Sequence, residues 1–494
     1  MEQRFGLART TPARAARFTL HYRWMRFFFT EASAPGVLNV IDLQRRAVWI
    51  ALAICCQSLV LIVPTFTPGQ NNDTKWYIVL LALAAALIPC GLTLGGFFAL
   101  WMAIKPATLP QKLEFARQHG ARWQRMTLLR TLVLLVIGGV LLAISVIQWF
   151  LPPAYSNDGT SLDTNAAQLL LEGKNPYTSS NILDIAHRFD IQPGWTTPLR
   201  QGQFAGRLDY PSSVEVRSAF DTALKANDAP EFESRVSYPA LSFLSLVPLV
   251  FLKIYNVLPF YLLSYLLLAW IAWKVARQEL RPWVLLLALA NVPMLSSAMS
   301  GSLDILYMLL LVLAWLLREK RWLSALFFGL ALASKQLAWF FVPFYLVMIW
   351  RQQSLREASL RLILAGALAL LINLPFICWN PAAWLAGVLA PMADPMFPMG
   401  VGLINLSSYH LLPYLPSWCY LTLEAGAMAG VLVYYWRICR VCPEAAMLLA
   451  VLPLFLAWRS LPSYFSCTAF PILLLMVARS KTSGPARTLQ TMAS

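Results

Sequence analysis

The stretch YIVLLALAAALIPCGLTLGGFFALWMAI, Tyr77 to Ile104, carries no charged side chain. It exceeds the ~20 residues that an α-helix needs to cross ~30 Å of hydrocarbon. Similar apolar runs occupy 47–66 and 131–151, and more follow almost without a break from 238 to 478. Of 494 residues, 59% are hydrophobic and 13% charged, where an ordinary soluble domain has roughly a quarter of its residues charged. A water-soluble enzyme is excluded. The pattern predicts an all-α polytopic membrane protein with about twelve transmembrane helices, one or two of them broken where they line a cavity.

The net charge of +16 is decided by its location. Residues 1–46 hold eight Arg against three acids, and 105–130 hold six Lys or Arg against Glu114. Basic residues gathered at span ends keep those loops in the cytoplasm, so the charge implies no nucleic-acid partner. The partner is the bilayer itself. Within the arm, the basic and aromatic residues of 14–29 suit either a helix lying on anionic lipid or a solvated segment. The arginine-rich start is not read as a cleavable signal, because no plausible cleavage site follows its first apolar run.

This charge pattern divides the chain into a basic cytoplasmic arm (1–46), three N-terminal spans (47–151), an external loop subdomain (152–237), a helical membrane core (238–478) and a basic cytoplasmic tail (479–494). The external loop holds seven Lys or Arg against eleven acids. It should carry a helix over 213–225, capped by Ser212 or Ser213. Residues 378–436 contain no Lys or Arg, which places 380–416 outside as a lid. Two segments fit the count poorly. Residues 238–274 hold two apolar runs, one of them expected to be re-entrant or shallow, and 322–350 are long for one crossing and short for two.

Several polar residues stand where chemistry could use them. Asp158 and Asp163 open the external loop near the membrane rim, where a carboxylate can take a proton from an attacking hydroxyl; Asp163 equally suits the N-cap of a helix running to Gly173. Lys335 interrupts the apolar run 327–342, and a cation there needs a cavity, an anion or a carboxylate partner such as Glu424. Arg459 ends another apolar run at its outer side. It could hold a phosphate or anchor the interface beside Trp458. Asp304 starts an apolar helix, and His410 lies in the lid, where either could meet a sugar hydroxyl. The eight cysteines fall mostly in apolar runs and read as small core residues. Cys439 and Cys442 form a lone C-x-x-C with no histidine near it in sequence, so no metal site and no cofactor are expected. No nucleotide-binding glycine motif is present.

The passage 162–177, LDTNAAQLLLEGKNPY, resembles a motif in the first external loop of GT-C superfamily membrane glycosyltransferases. Ser237-Tyr238-Pro239-Ala240-Leu241 is similar to their Tyr-Pro-Pro-Leu, with Ala240 in place of the second proline. Gly301-x-x-Asp304 and the stretch from Gly329 to Lys335 resemble two later motifs, in the same order. The resemblance covers roughly 148–344; the three spans before the loop depart from the single span usual in that family. It implies an enzyme, a hexosyltransferase of mannosyltransferase-like kind, that uses a polyprenyl-phosphate sugar as donor on the outer face of the cytoplasmic membrane. An acidic residue of the first external loop would be the base, best matched by Asp158 with Asp163 in reserve. Lys335 and Arg459 would hold the donor phosphate, with Asp304, His410 and Tyr238 toward the substrate. The acceptor, a glycan, lipid or protein, is open. Two other readings stand beside it: a lipid or polyol transporter or flippase, and a membrane scaffold for envelope glycan assembly.

Overall fold

A computed structural model of the chain describes residues 40–62, 76–105, 158–189 and 191–482, with a few positions between 132 and 143. The basic arm to residue 39, the loop 106–130, most of the third expected span and the tail from 483 lie outside the described residues. What is described is helical, apart from two-residue strands β1 (Met399–Gly400) and β2 (Arg459–Ser460), which pair in parallel.

Helices α1 (Val40–Ile62) and α2 (Trp76–Ile104) pack against each other. Pro89 sits inside α2. Because proline has no N–H, the carbonyl of Ala85 one turn earlier loses its helical donor. The side-chain amide of Asn405 donates instead, to Ala86 O at 2.8 Å and Ala85 O at 3.3 Å. From α1, Gln57 Nε2 donates to Phe465 O and Thr468 Oγ1, at 2.9 and 3.1 Å. Buried polar bonds thus tie this N-terminal pair to segments more than three hundred residues away in sequence.

Among the described residues, three helical segments are long and apolar enough to cross a membrane: Leu80–Ile104, Leu258–Val275 and Leu355–Trp379. A fourth is possible if Gln278–Leu289 and Val292–Met299, bent by 53° at their junction, form one span. The two ambiguous segments each have a physical explanation. In 238–274, the first apolar run folds as two short helices, Leu241–Leu244 and Val247–Phe251, too short to cross at 1.5 Å per residue; only α5 (Leu258–Val275) has the length. In 322–350, the helix breaks. Continuing past α3 (Asp158–Leu171), α4 (Ser213–Ala226) and α5, we label Asp304–Leu316 α6, Arg321–Ser334 α7, Val342–Gln352 α8 and Leu355–Trp379 α9. Lys335 follows α7 with extended backbone, φ −151° and ψ 141°, and a 3-10 turn over Gln336–Phe341 leads into α8. Helix α7 lies between α6 and α9.

Helix α3 ends at Leu171 and the chain turns at Gly173, whose φ of 74° suits glycine. Its start differs from expectation: the helix begins at Asp158, so Asp163 lies inside it and is no N-cap. Helix α4 appears where expected, with a reciprocal capping box between Ser212 and Glu215. It buries Val216, Ala219, Phe220 and Ala223 in a separate apolar core with Ile182, Phe204, Phe232 and Phe397. Phe397 comes from the segment read as a lid. That segment is seated on the subdomain by the hydrogen bond from Arg200 N to Pro395 O (2.7 Å) and the ion pair of Arg235 with Asp394 (3.0 Å).

Candidate active site

The helix break presents Lys335, and its ammonium donates to Asp304 Oδ1 at 2.7 Å. Both residues are nearly withdrawn from solvent, at 7% and 1% exposure. Helix ends explain the pairing. Lys335 caps the carbonyl end of α7, which favours a cation, and Asp304 is the first residue of α6, where exposed N–H groups favour an anion. The sequence offered Glu424 as a partner for Lys335; the neighbouring helix start supplies Asp304 instead.

The pair is held in a polar cage. Ser302 Oγ donates to Asp304 Oδ2 at 2.9 Å, and the rings of Tyr238 and Tyr307 lie 5.3 and 5.9 Å from Lys335 Nζ, within cation–π range. Ahead of Ser302, Gly301 has φ 76°, and a Cβ there would come within 2.6 Å of Leu258 and 2.8 Å of Thr160. Its carbonyl accepts from Thr160 Oγ1 of α3 at 2.6 Å. Glycine is required on both counts.

Asp163 approaches from α3. Its Oδ1 accepts from Ser242 Oγ at 2.8 Å, while Oδ2 is buried without a hydrogen-bond partner among the described residues. Burial raises its pKa to about 7, against the opposing pull of the Ser242 hydrogen bond and the Lys335 charge. A carboxyl poised there can exchange a proton near neutrality.

The backbone between these groups is pinned as well. Tyr177 OH donates to Tyr238 O at 2.8 Å, and Gln336 Nε2 to Ser237 O at 2.5 Å and Val388 O at 2.7 Å. Ala240 N donates to Asn373 Oδ1 at 2.9 Å. A proline at 240 would lack that N–H, which gives the departure from Tyr-Pro-Pro-Leu a local reason. Four motif segments distant in sequence therefore meet at one place: 160–177, 237–242, 301–304 and 335.

The other nominated residues fall as follows. Asp158 opens α3, but its side chain lies outside the described residues. Arg459 lies in β2, and its guanidinium makes no hydrogen bond or ion pair among the described residues. It is linked to the pair through Tyr464, whose phenol interacts electrostatically with Arg459, Lys335, Asp304 and Glu424. His410, at φ 59°, is exposed; its Nε2 lies 3.7 Å from Asp209 Oδ1, to which Tyr414 OH donates at 3.1 Å. Its contacts are with Asp209 and Tyr414.

Sequence reasoning missed Ser242, Tyr464, Tyr177 and Gln336 as site residues. Ser242 stands four residues after Tyr238, a helical spacing that could have flagged it; Tyr464 left no such mark. Among the described residues no three His, Cys, Asp or Glu side chains are grouped to hold a metal, and Cys439 and Cys442 are buried free thiols.

Fold and site together define a helical membrane protein with a buried ion pair beside the subdomain that carries α4. A profile of glycosyltransferase family 87, a membrane GT-C-type family, matches residues 237–462. The match takes in Tyr238, Asp304, Lys335, His410 and Arg459, and it supports the chain being a glycosyltransferase. Helices α1, α2, α3 and α4 lie before it. No curated protein and no solved structure matches the chain.

Proposed function

We propose that the protein transfers a hexose, mannose being the first candidate, from a polyprenyl-phosphate donor to an acceptor hydroxyl on the outer face of the cytoplasmic membrane. The chain would cross the membrane about twelve times, the shorter apolar helices included. One observation carries the reading: Lys335, beside Tyr238 and Asp304, stands where the external helix α3 reaches the helical core through Asp163. A buried cation with carboxylates on the rim side suits a reaction whose leaving group is an anion at the membrane surface.

In the proposed step a carboxylate of α3 accepts the acceptor's hydroxyl proton. The freed oxygen forms the new bond to the anomeric carbon, and the bond from that carbon to the phosphate oxygen breaks. The electron pair leaves on the polyprenyl phosphate, held by Lys335 and Arg459. Asp158 is the first choice as base and Asp163 the reserve. Asp304 orients Lys335, Tyr238 flanks the same cation, and His410 would face the acceptor from the subdomain side. No step is assigned to a metal or cofactor, and transfer is expected to persist in a chelator.

Transfer of labelled sugar from a polyprenyl-phosphate donor in membranes tests the assignment. Asp158→Asn should lower the rate by ~100-fold or more, with Asp163→Asn affected less. The reverse order would move the base to Asp163, and full activity in both variants would remove the carboxylates of α3 from the mechanism.

A further inference from the structure

Shortly before α5 the chain is exposed without a break over Phe251, Leu252, Lys253, Ile254, Tyr255 and Asn256. Phe251, Leu252 and Ile254 stand 71%, 64% and 45% open. The turn that presents them is well defined. The helix Val247–Phe251 packs on α3, with Val250 in the same apolar core as Ala167. It closes in a left-handed cap: Ile254 N donates to Leu249 O at 2.9 Å and Lys253 N to Val250 O at 2.8 Å, with Lys253 at φ 59°. Asn256 Oδ1 then accepts from Leu258 N, at the start of α5, at 3.3 Å. A hydrogen-bonded tip thus carries three large apolar side chains outside the protein's own packing.

Three features bear on what meets them. First, the tip leads into a face made for lipid. Leu263, Leu267 and Trp270 of α5 are exposed at spacings of four and three residues, one stripe along a helix of membrane-spanning length and composition. Second, the far end of α5 marks one boundary of the bilayer. Lys274 Nζ lies 5.7 and 5.4 Å from the rings of Trp270 and Trp273, and the Arg281 guanidinium lies 4.6 Å from Trp273. Tryptophan and basic residues gather in this way at the membrane–water interface. The 18 residues of α5 rise ~27 Å, close to the ~30 Å of a hydrocarbon core, so its start and the tip before it fall at the opposite boundary. Third, the composition suits that depth. Large apolar side chains exposed together mark an interaction surface, and a lysine among them can keep its ammonium at the phosphates while its stem lies in hydrocarbon.

We propose that residues 251–254 form a wedge inserted in the lipid of the leaflet opposite the Trp270, Trp273, Lys274 and Arg281 belt, with Phe251, Leu252 and Ile254 among the upper acyl chains and Lys253 at the headgroup phosphates. The wedge sets the depth of the candidate site. Leu258 abuts Gly301, three residues before Asp304, and Tyr238 and Ser242 stand on the segment that leads to the tip. The buried pair is thereby held near the level of the lipid phosphates. The wedge would form whatever the enzyme transfers, so its test is separate from the sugar-transfer assay.

Two measurements on the full-length protein in nanodiscs of phosphatidylcholine and phosphatidylglycerol test it. In the first, wild type is irradiated with a phosphatidylcholine that carries a diazirine in its acyl chain, and adducts are located by peptide mass spectrometry. Adducts within 251–254 are expected; their absence, while the Leu263, Leu267 and Trp270 face is marked, would overturn the wedge. In the second, Leu252→Cys and a reference, Val214→Cys on the exposed side of α4, react with a sulfonated maleimide that does not enter lipid, and peptide mapping separates them from the native cysteines. Leu252→Cys should react about tenfold or more slowly in the nanodisc than after unfolding in SDS, with Val214→Cys nearly alike in both. Equal rates at the two positions would put the tip in water and overturn the wedge. Slow reaction without acyl-chain adducts would mean that a protein surface, such as a second copy, covers the tip, and would overturn it too. If Leu252→Cys does not elute as wild type on size exclusion, the wild-type adducts decide alone.

Discussion

The buried charges under 237–242 and the exposed charges of the subdomain that carries α4 are built from the same residue types and behave as opposites. Lys335 and Asp304 are almost fully enclosed, with two tyrosine rings and a serine around them. On the subdomain, Arg207 pairs with Glu215 at 2.8 Å, both groups about a third or more exposed, and Glu172 binds Lys174 and Arg188 at the surface. Surface pairs of this kind are screened by water and contribute ~0–1 kcal/mol. A buried pair that loses one member leaves a charge without water or partner, which costs about 3–5 kcal/mol. The first arrangement suits a place where an anion must be met, the second a place where solubility is needed.

The largest effect that would break this contrast is therefore Asp304→Asn. Thermal unfolding in detergent should show a loss of about 3–5 kcal/mol, and adding Lys335→Met should restore much of it by removing the stranded cation. A neutral single variant would mean that water or another group already solvates Lys335. The carboxylate of Asp163 sharpens the comparison through pH. Its pKa rises on folding from 3.8 to about 7, so the folded state holds the proton more tightly. That contribution is fully present at low pH and is lost as pH rises through the window between those values. Asp163→Asn cannot ionise; relative to wild type, it should hold a constant difference above pH ~7 and gain stability as pH rises from ~4 to ~7. A constant difference across that range would show that Asp163 is not desolvated. Smallest is Ser212→Ala, which removes the cap of α4 on the exposed side and should cost about 1 kcal/mol with little effect on transfer.

The contrast also explains what the sequence could disclose. Apolar runs indicated membrane helices, and the capping residues gave α4 at nearly its observed bounds. Lys335 stood out because a cation in an apolar run needs a reason, Asp304 because it starts an apolar helix, and Tyr238 only through its motif. What stayed hidden depends on contacts between distant segments. No local pattern indicates that Lys335 would choose Asp304 over Glu424, since that choice follows from how α6 and α7 pack. Asp163 read as an N-cap because Ser161 to Thr164 look like one; the helix starts five residues earlier, and burial against Ser242 turns a capping residue into a titrating one. Nor does any local pattern indicate that the carbonyl freed by Pro89 is what Asn405 uses to hold α2 against the rest of the molecule.

The central claim is that the buried cation meets the leaving phosphate. The direct measurement is the single-turnover rate of sugar transfer from a polyprenyl-phosphate donor in proteoliposomes, for wild type and for Lys335→Gln, each checked for a folded, monodisperse state. The account predicts that Lys335→Gln lowers the rate by ~100-fold or more while acceptor concentration dependence is unchanged. Transfer by the folded variant at the wild-type rate would contradict it.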